Sequence, residues 1–506
     1  MKPPITRRDF LKMASLAPLG VASAPLLKRS VPSGSGQNVI VIVLDALSAY
    51  HLSIEGYPRE TMPNLTRAAS RAIVYHNHYA AGNYTTPGTA SLLTGTYPWT
   101  HRAFESDGRV TERFVTRNLF SAFPDYHRLA YTHNPWANTL LTQFKANIED
   151  LIPWRTYFLR SNDLLVESLF AGDRDAASVS WARASNLKDY GYAYSLFLSH
   201  VYQAVQGGRS AELNQVFPRG LPTIKPDDDF LLEHAVEGIA NVLRSAPQPF
   251  LGYFHFLPPH DPYRTSVEFY DRFRNDGFAP VFKPEDAFTL RVAPQVLARK
   301  RTEYDEFLLY ADREFGRLLA ALEAMDLLAN SWVVLTSDHG ELFERGQIGH
   351  GTPALWEAVV RVPLVILEPG RQSRTEVRAV TSAVDLLPTL ARITGHPVPE
   401  WTEGRILPPF AEARSESDPP IYAIQARHNR PLSPLTSAST MLVNGRRKLL
   451  YLFGYPQRDV TELVQMYDVR EDPEELRDLA ALQGAEAQEL LRQLKARIQQ
   501  ADTPYM

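Results

Sequence analysis

The 506-residue chain contains no cysteine. That excludes disulfides, thiolate-bound metals and cysteine nucleophiles, and it does not fix the compartment, since an exported chain can do without disulfides. Long hydrophobic runs are missing too. The uncharged, mostly apolar stretch from Met13 to Leu27 is 15 residues, whereas a helix needs about 20 to span a bilayer. Charge of one sign is scarce: 53 Lys and Arg against 57 Asp and Glu leave a formal net charge of −4. Without a basic field, nucleic acid is excluded as a partner class. No internal repeat or low-complexity tract interrupts the chain. What is present is ordinary globular material, 44% hydrophobic and 22% charged, with 24 Phe and 23 Tyr to build a core and shape a pocket. The length suits one large α/β domain with an appendage, or two or three domains.

The N-terminus carries Thr6-Arg7-Arg8-Asp9-Phe10-Leu11-Lys12 ahead of the Ala- and Leu-rich run, which Pro18 and Gly20 weaken as a helix. This resembles a twin-arginine export signal over residues 1–30. The resemblance implies an exported, periplasmic or extracellular protein that crosses the membrane folded through the twin-arginine translocation machinery.

Beyond a Pro/Ser/Gly linker, Asn38 to Leu44 is a continuous β-branched run ending at Asp45. Such runs are buried parallel strands, whose carboxyl ends hold the sites of open α/β sheets. Thr61-Met62-Pro63 opens a helix with Leu65, Ala68, Ala69 and Ala72 on one face, and Ile73 to Tyr79 returns as a strand. Phe230 to Leu243 and Tyr192 to Val205 read as amphipathic helices within a helical insertion, residues 155–248, that shapes the pocket. Phe250 to Phe256 and Ser331 to Thr336 are further buried strands, the second ending in Ser337-Asp338-His339-Gly340. A helix runs from about Arg301 to Met325, Val362 to Leu367 forms another strand, and a helix begins near Val384-Asp385. The alternation predicts a doubly wound, mostly parallel sheet over residues 37–410. Residues 418–506 change character: Ile421 to Ala426, Ser439 to Val443 and Lys448 to Phe453 read as an antiparallel sheet, and Glu474 to Gln500 as helix.

The chain is organised around Asn83 to Gly95. Pro87 suits a first helical position with Thr86 as its cap, which sets Thr85 at a helix mouth where backbone amides and the dipole favour phosphate or sulfate. Thr-Thr-Pro also opens helices with no such task. Asp45, Asp338 and His339 fall at strand tips aimed at the same edge. Two carboxylates, an imidazole and a hydroxyl suit one divalent cation, Zn or Mn by donor type, with Ca or Mg favouring oxygen ligands alone.

Asp45-Ala46-Leu47, Thr85-x-Pro87 before Leu92-Leu93-Thr94-Gly95, Thr336 to Glu341, Gly349-His350-Gly351, Arg361-Val362-Pro363-Leu364, Val384 to Leu390 and Tyr467-Asp468-Val469 with Asp472-Pro473 closely resemble the sulfatase branch of the alkaline phosphatase superfamily. The resemblance runs from about Asn38 to Leu479. It implies a large α/β domain with a small C-terminal sheet, and an enzyme acting on phosphoric or sulfuric esters of small molecules or of lipid or glycan headgroups. By the same likeness His260 and His350 hold the non-bridging oxygens or protonate the leaving group, and Asn134 lies where the family places pocket residues. His255, on an apolar strand, reads as a satisfied core histidine. The Asp-x-x-x-His spacing of two-zinc relatives is absent from His255 to Tyr263, so one metal is expected.

The departures narrow the chemistry. Sulfatases of the family carry Cys or Ser at position 85, followed by x-Pro-x-Arg, and oxidise it to formylglycine. Here Thr85 cannot give that aldehyde, Thr89 replaces the arginine, Ala46 replaces a second acid and His339 replaces Asn. The set resembles phosphoethanolamine and phosphoglycerol transferases and nucleotide pyrophosphatase-like phosphodiesterases, in which threonine is the nucleophile. The expectation is a phosphate-ester hydrolase or transferase. The alternatives are a sulfuric ester hydrolase without formylglycine and a catalytically silent binding protein.

Overall fold

The computed structural model describes residues 36–160, 213, 215–225, 228–411, 419–458 and 460–506. The signal reading over residues 1–30 and the helix read over Tyr192 to Val205 lie outside them. Among the described residues no helix is long and apolar enough to cross a membrane.

Eight strands form the central sheet: β1 (Asn38–Leu44), β2 (Ile73–Tyr79), β3 (His127–Thr132), β4 (Asp150–Leu151), β5 (Phe250–Phe256), β6 (Ser331–Thr336), β7 (Leu364–Leu367) and β8 (Thr375–Ser382). Their spatial order is β8-β2-β7-β6-β1-β5-β3-β4. Only β7 runs against its neighbours β2 and β6; the remaining pairs are parallel. The sheet is covered on both faces, which explains the unbroken apolar run of β1. Ile40, Ile42 and Leu44 enter one core and Val39, Val41 and Val43 the other.

The first core is closed by α5 (Pro294–Ala324), through Phe307, Ala311, Phe315, Leu318 and Leu322. The same helix steadies the turn after β1: Tyr304 donates to Ala46 O at 2.7 Å and accepts from Ser48 N at 3.1 Å. α1 (Pro63–Ala69) joins this core by Leu65 and Ala68, and α4 (Leu232–Ser245) by Val236, Ile239 and Leu243. The helix expected from Arg301 begins seven residues earlier, at Pro294, whose missing N–H costs nothing in a first turn.

α2 (Thr85–Thr94) is buried along its whole length, and it starts at Thr85 rather than Pro87. Tyr84 is the extended residue before it, and Thr86 turns its hydroxyl to Ser106 O instead of capping. Pro87 therefore sits third. Its lack of N–H is free there as well, because the first turn's amides have no intrahelical partner.

The C-terminal segment forms a separate antiparallel sheet in the order β9 (Ile421–Gln425), β10 (Ala438–Asn444), β11 (Arg447–Tyr455) and β12 (Val460–Asp468). β12 is an edge strand that the sequence pattern did not reveal. The final helix (Gly484–Asp502) starts ten residues later than Glu474. The preceding turn is committed elsewhere: Glu475 is buried, accepting from Glu357 N at 2.8 Å and pairing with Lys448 Nζ at 2.8 Å. Lys448 also meets Glu357 at 2.9 Å, so one ammonium compensates two buried carboxylates where the small sheet meets the large domain. Replacing Lys448 by Met leaves both acids uncompensated. The expected loss is about 3 kcal/mol of unfolding free energy in denaturant titrations, and a change within ~0.5 kcal/mol, as at ordinary surface sites, would contradict this reading of the triad.

Candidate active site

Four neighbouring strands deliver the site. Asp338 follows β6, Asp45 follows β1, His255 lies near the end of β5, and Asn134 comes two residues after β3. Thr85 opens α2 above them, and no side chain could separate the two layers at position 88. A Cβ on Gly88 would lie 2.1 Å from Asp338 O, so glycine lets the helix rest on the strand end.

Asn134 fixes the spacing between nucleophile candidate and carboxylate. It caps α3 (Pro135–Gln143), its Oδ1 accepting from Trp136 N at 2.7 Å and Ala137 N at 3.2 Å. That cap decides the amide's orientation. Nδ2 must then face the site, and it donates to Asp45 Oδ2 at 2.5 Å and Thr85 Oγ1 at 3.2 Å.

His339 Nε2 lies 3.5 Å from Thr85 Oγ1, 3.3 Å from Asp45 Oδ1 and 3.7 Å from Asp338 Oδ2. Its Nδ1 donates to Gly340 O at 2.9 Å, leaving the Nε2 lone pair of the neutral ring directed at the carboxylates. Thr89 donates to Asp338 Oδ2 at 3.3 Å.

His255 corrects the sequence reading. It is buried, yet its Nε2 stands 3.1 Å from Asp45 Oδ2 and 3.8 Å from Asp338 Oδ2, with Tyr253 Oη 3.2 Å from Nδ1. Asp45, His255 and Asp338 each offer a donor atom within 4.8 Å of the others, a set suited to a metal ion. The strand pattern showed burial but not which face of the strand end His255 occupies.

His260 and His350 form the outer wall, their rings 4.6 Å apart by centroid, with His350 4.3 Å from His339. Glu341 stands behind them. It is buried, accepts from His350 Nδ1 at 3.0 Å and from Tyr263 Oη at 2.9 Å, a role the sequence motif alone does not reveal. Its place two residues after His339, on the same turn, was the available signal.

Electrostatics follow from this packing. Burial opposes ionisation of Asp45, but the charge on His260 and hydrogen bonds from His255 and His339 hold it well below the ordinary carboxylate range. Burial and the charge of Asp45 raise Asp338. Burial disfavours the His339 imidazolium, yet Asp338 and Asp45 push it up to about 9. Glu341 is lowered in spite of burial, by His350. Asp45 Oδ1 is fully buried, with His339 Nε2 3.3 Å away but no donor in full hydrogen-bonding geometry. An orphaned carboxylate oxygen beside a second carboxylate and two imidazoles fits a divalent cation.

An eight-stranded sheet with this carboxyl-edge site, joined to a four-stranded antiparallel sheet, defines the alkaline phosphatase/sulfatase-like fold. Residues 37–396 match the family described as Sulfatase, and the chain belongs to that family. Among curated relatives, the ulvan-active sulfatase of Formosa agariphila is 24% identical over 383 residues, covering 73% of this chain and 64% of that protein. The choline-sulfatase of Rhizobium meliloti is 24% identical over 483 residues, covering 88% and 82%. Among solved structures, a phosphonate monoester hydrolase from Silicibacter pomeroyi superposes with a TM-score of 0.63 at 19% identity, covering 92% of this chain and 96% of that one.

Proposed function

We propose that this protein is an exported, cation-dependent hydrolase that cleaves phosphate esters with the unmodified hydroxyl of Thr85 as nucleophile. The observation that carries the reading is the position of Thr85 Oγ1 at the helix mouth, held by Asn134 and facing His339 beside Asp45 and Asp338. A divalent cation, Zn or Mn by donor type, held by Asp45, Asp338 and His339 with His255 alongside, would supply positive charge that lowers the hydroxyl's pKa and offsets the ester's negative oxygens. Thr85 Oγ bonds to phosphorus as the ester P–O bond breaks, and its proton passes to solvent. The helix amides stabilise the transferred group. His260 or His350 gives the departing oxygen a proton. Water then attacks the phospho-threonine, releasing phosphate and restoring the hydroxyl; an acceptor alcohol in place of water would make the same site a transferase.

The names of the curated relatives favour a second reading, sulfate ester hydrolysis. Assay of the purified chain on aryl phosphate monoester, aryl phosphodiester and aryl sulfate, with and without Zn or Mn, separates the two. Cation-dependent phosphoester turnover supports the Thr85 reading. Turnover of sulfate alone replaces it with the second, and inertness toward all three returns the chain to the binding-protein alternative. Export rests on Arg7-Arg8 and the following apolar run; a reporter fused after residue 36 should reach the periplasm only with both arginines intact.

Cation uptake should also release protons. His339 rises to about 9 while no cation competes for it, and only the neutral ring offers its lone pair. Below pH 9, loading must expel a proton, so apparent affinity climbs with pH toward 9 at up to about tenfold per unit. Calorimetry of zinc binding in buffers with different ionisation heats, at pH 7, reads this as release of about one proton from His339. Heats independent of the buffer would contradict it.

A further inference from the structure

We propose that Arg427, on the loop that leaves β9, binds a second oxyanion carried by the alcohol part of the ester, so that the preferred substrates are esters of alcohols bearing their own carboxylate, phosphate or sulfate. The inference rests on the Thr85 reading above and names a substrate class for it.

The C-terminal sheet brings this arginine to the mouth of the site. Ile424 N donates to Ala81 O at 2.9 Å, which seats the end of β9 against the loop running to Thr85. Three residues on, the Arg427 guanidinium lies over the Tyr84 ring, 4.9 Å from its centroid, and Nη2 donates to Ser106 Oγ at 2.5 Å. Gly351 is its third neighbour: a Cβ built there would lie 3.7 Å from Arg427 Nη1 and 3.7 Å from Tyr84 Cβ. Tyr84 precedes Thr85 and Gly351 follows His350, so the guanidinium adjoins both the nucleophile's loop and the histidine wall.

Its loop is held from behind. Asn429 is buried, its Nδ2 donating to Ala426 O at 2.9 Å and Ser437 O at 2.5 Å while its Oδ1 accepts from Thr436 N at 2.8 Å. Beyond that turn, buried Arg102 donates to Pro431 O at 2.8 Å and pairs with Asp502 at 3.0 Å. A cationic side chain on a fixed backbone, resting on an aromatic ring, gives up little freedom when an anion arrives.

The charge itself is uncommitted. Among the described residues no carboxylate lies within 4.0 Å of the Arg427 guanidinium, although Glu105 and Asp107 flank Ser106. Arg361 and Arg447, likewise half-buried, are tied to Glu55 at 2.7 Å and Asp468 at 2.8 Å. A half-buried guanidinium without such a partner keeps N–H donors for an incoming planar anion. The reaction above aims that anion. The departing oxygen takes its proton from His260 or His350, so the alcohol leaves along their wall, where the next residue is Gly351. Having no side chain, Gly351 leaves Nη1 uncovered. The sequence concealed the residue because Arg427-His428-Asn429 marks no site until β9 docks on Ala81.

The test uses three aryl phosphates on the full chain: one with a ring carboxylate, one with the matching carboxamide and one with a second ring phosphate. The wild type should favour the doubly charged esters over the carboxamide by about tenfold or more in kcat/KM, chiefly through KM, the scale of one charge-assisted hydrogen bond. Arg427→Met should erase that preference and Arg427→Lys should keep part of it, with zinc per chain and the unfolding midpoint close to wild type. Should Arg427→Met misfold, Arg427→Gln, polar but uncharged, takes its place. A wild type indifferent to the added charge overturns the proposal, as does a variant that loses activity equally on all three esters, since the arginine then only packs on Tyr84. Calorimetry of the same esters on Thr85→Ala, with and without Arg427→Met, reads the arginine without turnover. A binding preference that disappears with Arg427, beside a wild type inert toward phosphate esters, removes the Thr85 reading and keeps this one. Turnover with no preference in either assay does the reverse, and an inert chain without a binding preference removes both.

Discussion

Thr85→Ala should lower phosphoester turnover by about a millionfold, the scale seen when a nucleophile acting in concert with its activators is removed. The substitution deletes one hydroxyl from a site whose other members keep their supports. Asn134 remains fixed by Trp136 N and Ala137 N, and Asp338 by Thr89 and the His339 amide at 3.1 Å. Zinc per chain and the unfolding midpoint should therefore stay close to wild type while kcat collapses. Thr85→Ser should recover a substantial share of activity, because it restores the attacking oxygen on the same backbone. Quenching wild-type turnover with acid should trap a phosphorylated peptide containing residue 85, absent from Thr85→Ala. A mutant retaining even a tenth of wild-type kcat would exclude Thr85 as the nucleophile.

The second large effect belongs to Asp338→Asn. The side chain is buried beside Asp45, and burial together with that neighbour raises its pKa. Asparagine preserves shape and can accept from Thr89, but it removes one of the negative charges that attract a cation. Cation affinity should fall at least a thousandfold, with turnover falling in parallel at ordinary zinc concentrations and recovering in part at millimolar metal. Stability without metal should rise, by about 1 kcal/mol, because the variant relieves like-charge repulsion between buried acids. That opposite movement of stability and activity separates a ligand from a structural carboxylate: a merely structural Asp338 would lose both together.

The sheet was legible because its strands carry a physical signature. A layer covered on both faces needs apolar residues at every position, and Asn38 to Leu44 and Phe250 to Phe256 supply them. Asp45, Asp338 and His339 could be placed because each interrupts such a run at its carboxyl end. His255 could not, since an imidazole inside an apolar run looks the same whether it meets packing atoms or two carboxylates 3.1 and 3.8 Å away. Helix starts were misplaced where two residues competed to cap. Thr86 had the better intrinsic preference, and its hydroxyl instead satisfies Ser106 O across the loop. Glu475 shows the same limit at the C-terminus: helical propensity favoured Glu474 onward, but a buried ammonium in another strand claimed the side chain.

The contact at Gly88 has a practical bearing on engineering. Because a methyl group there would collide with a main-chain oxygen at 2.1 Å, the height of the Thr85 hydroxyl above the carboxylates is set by backbone against backbone and tolerates no padding. Libraries that randomise positions 85 to 89 should return inactive clones almost throughout. Diversity aimed at retuning substrate choice belongs on the outer rim, where Asp261 already meets water and a changed side chain leaves that seating undisturbed.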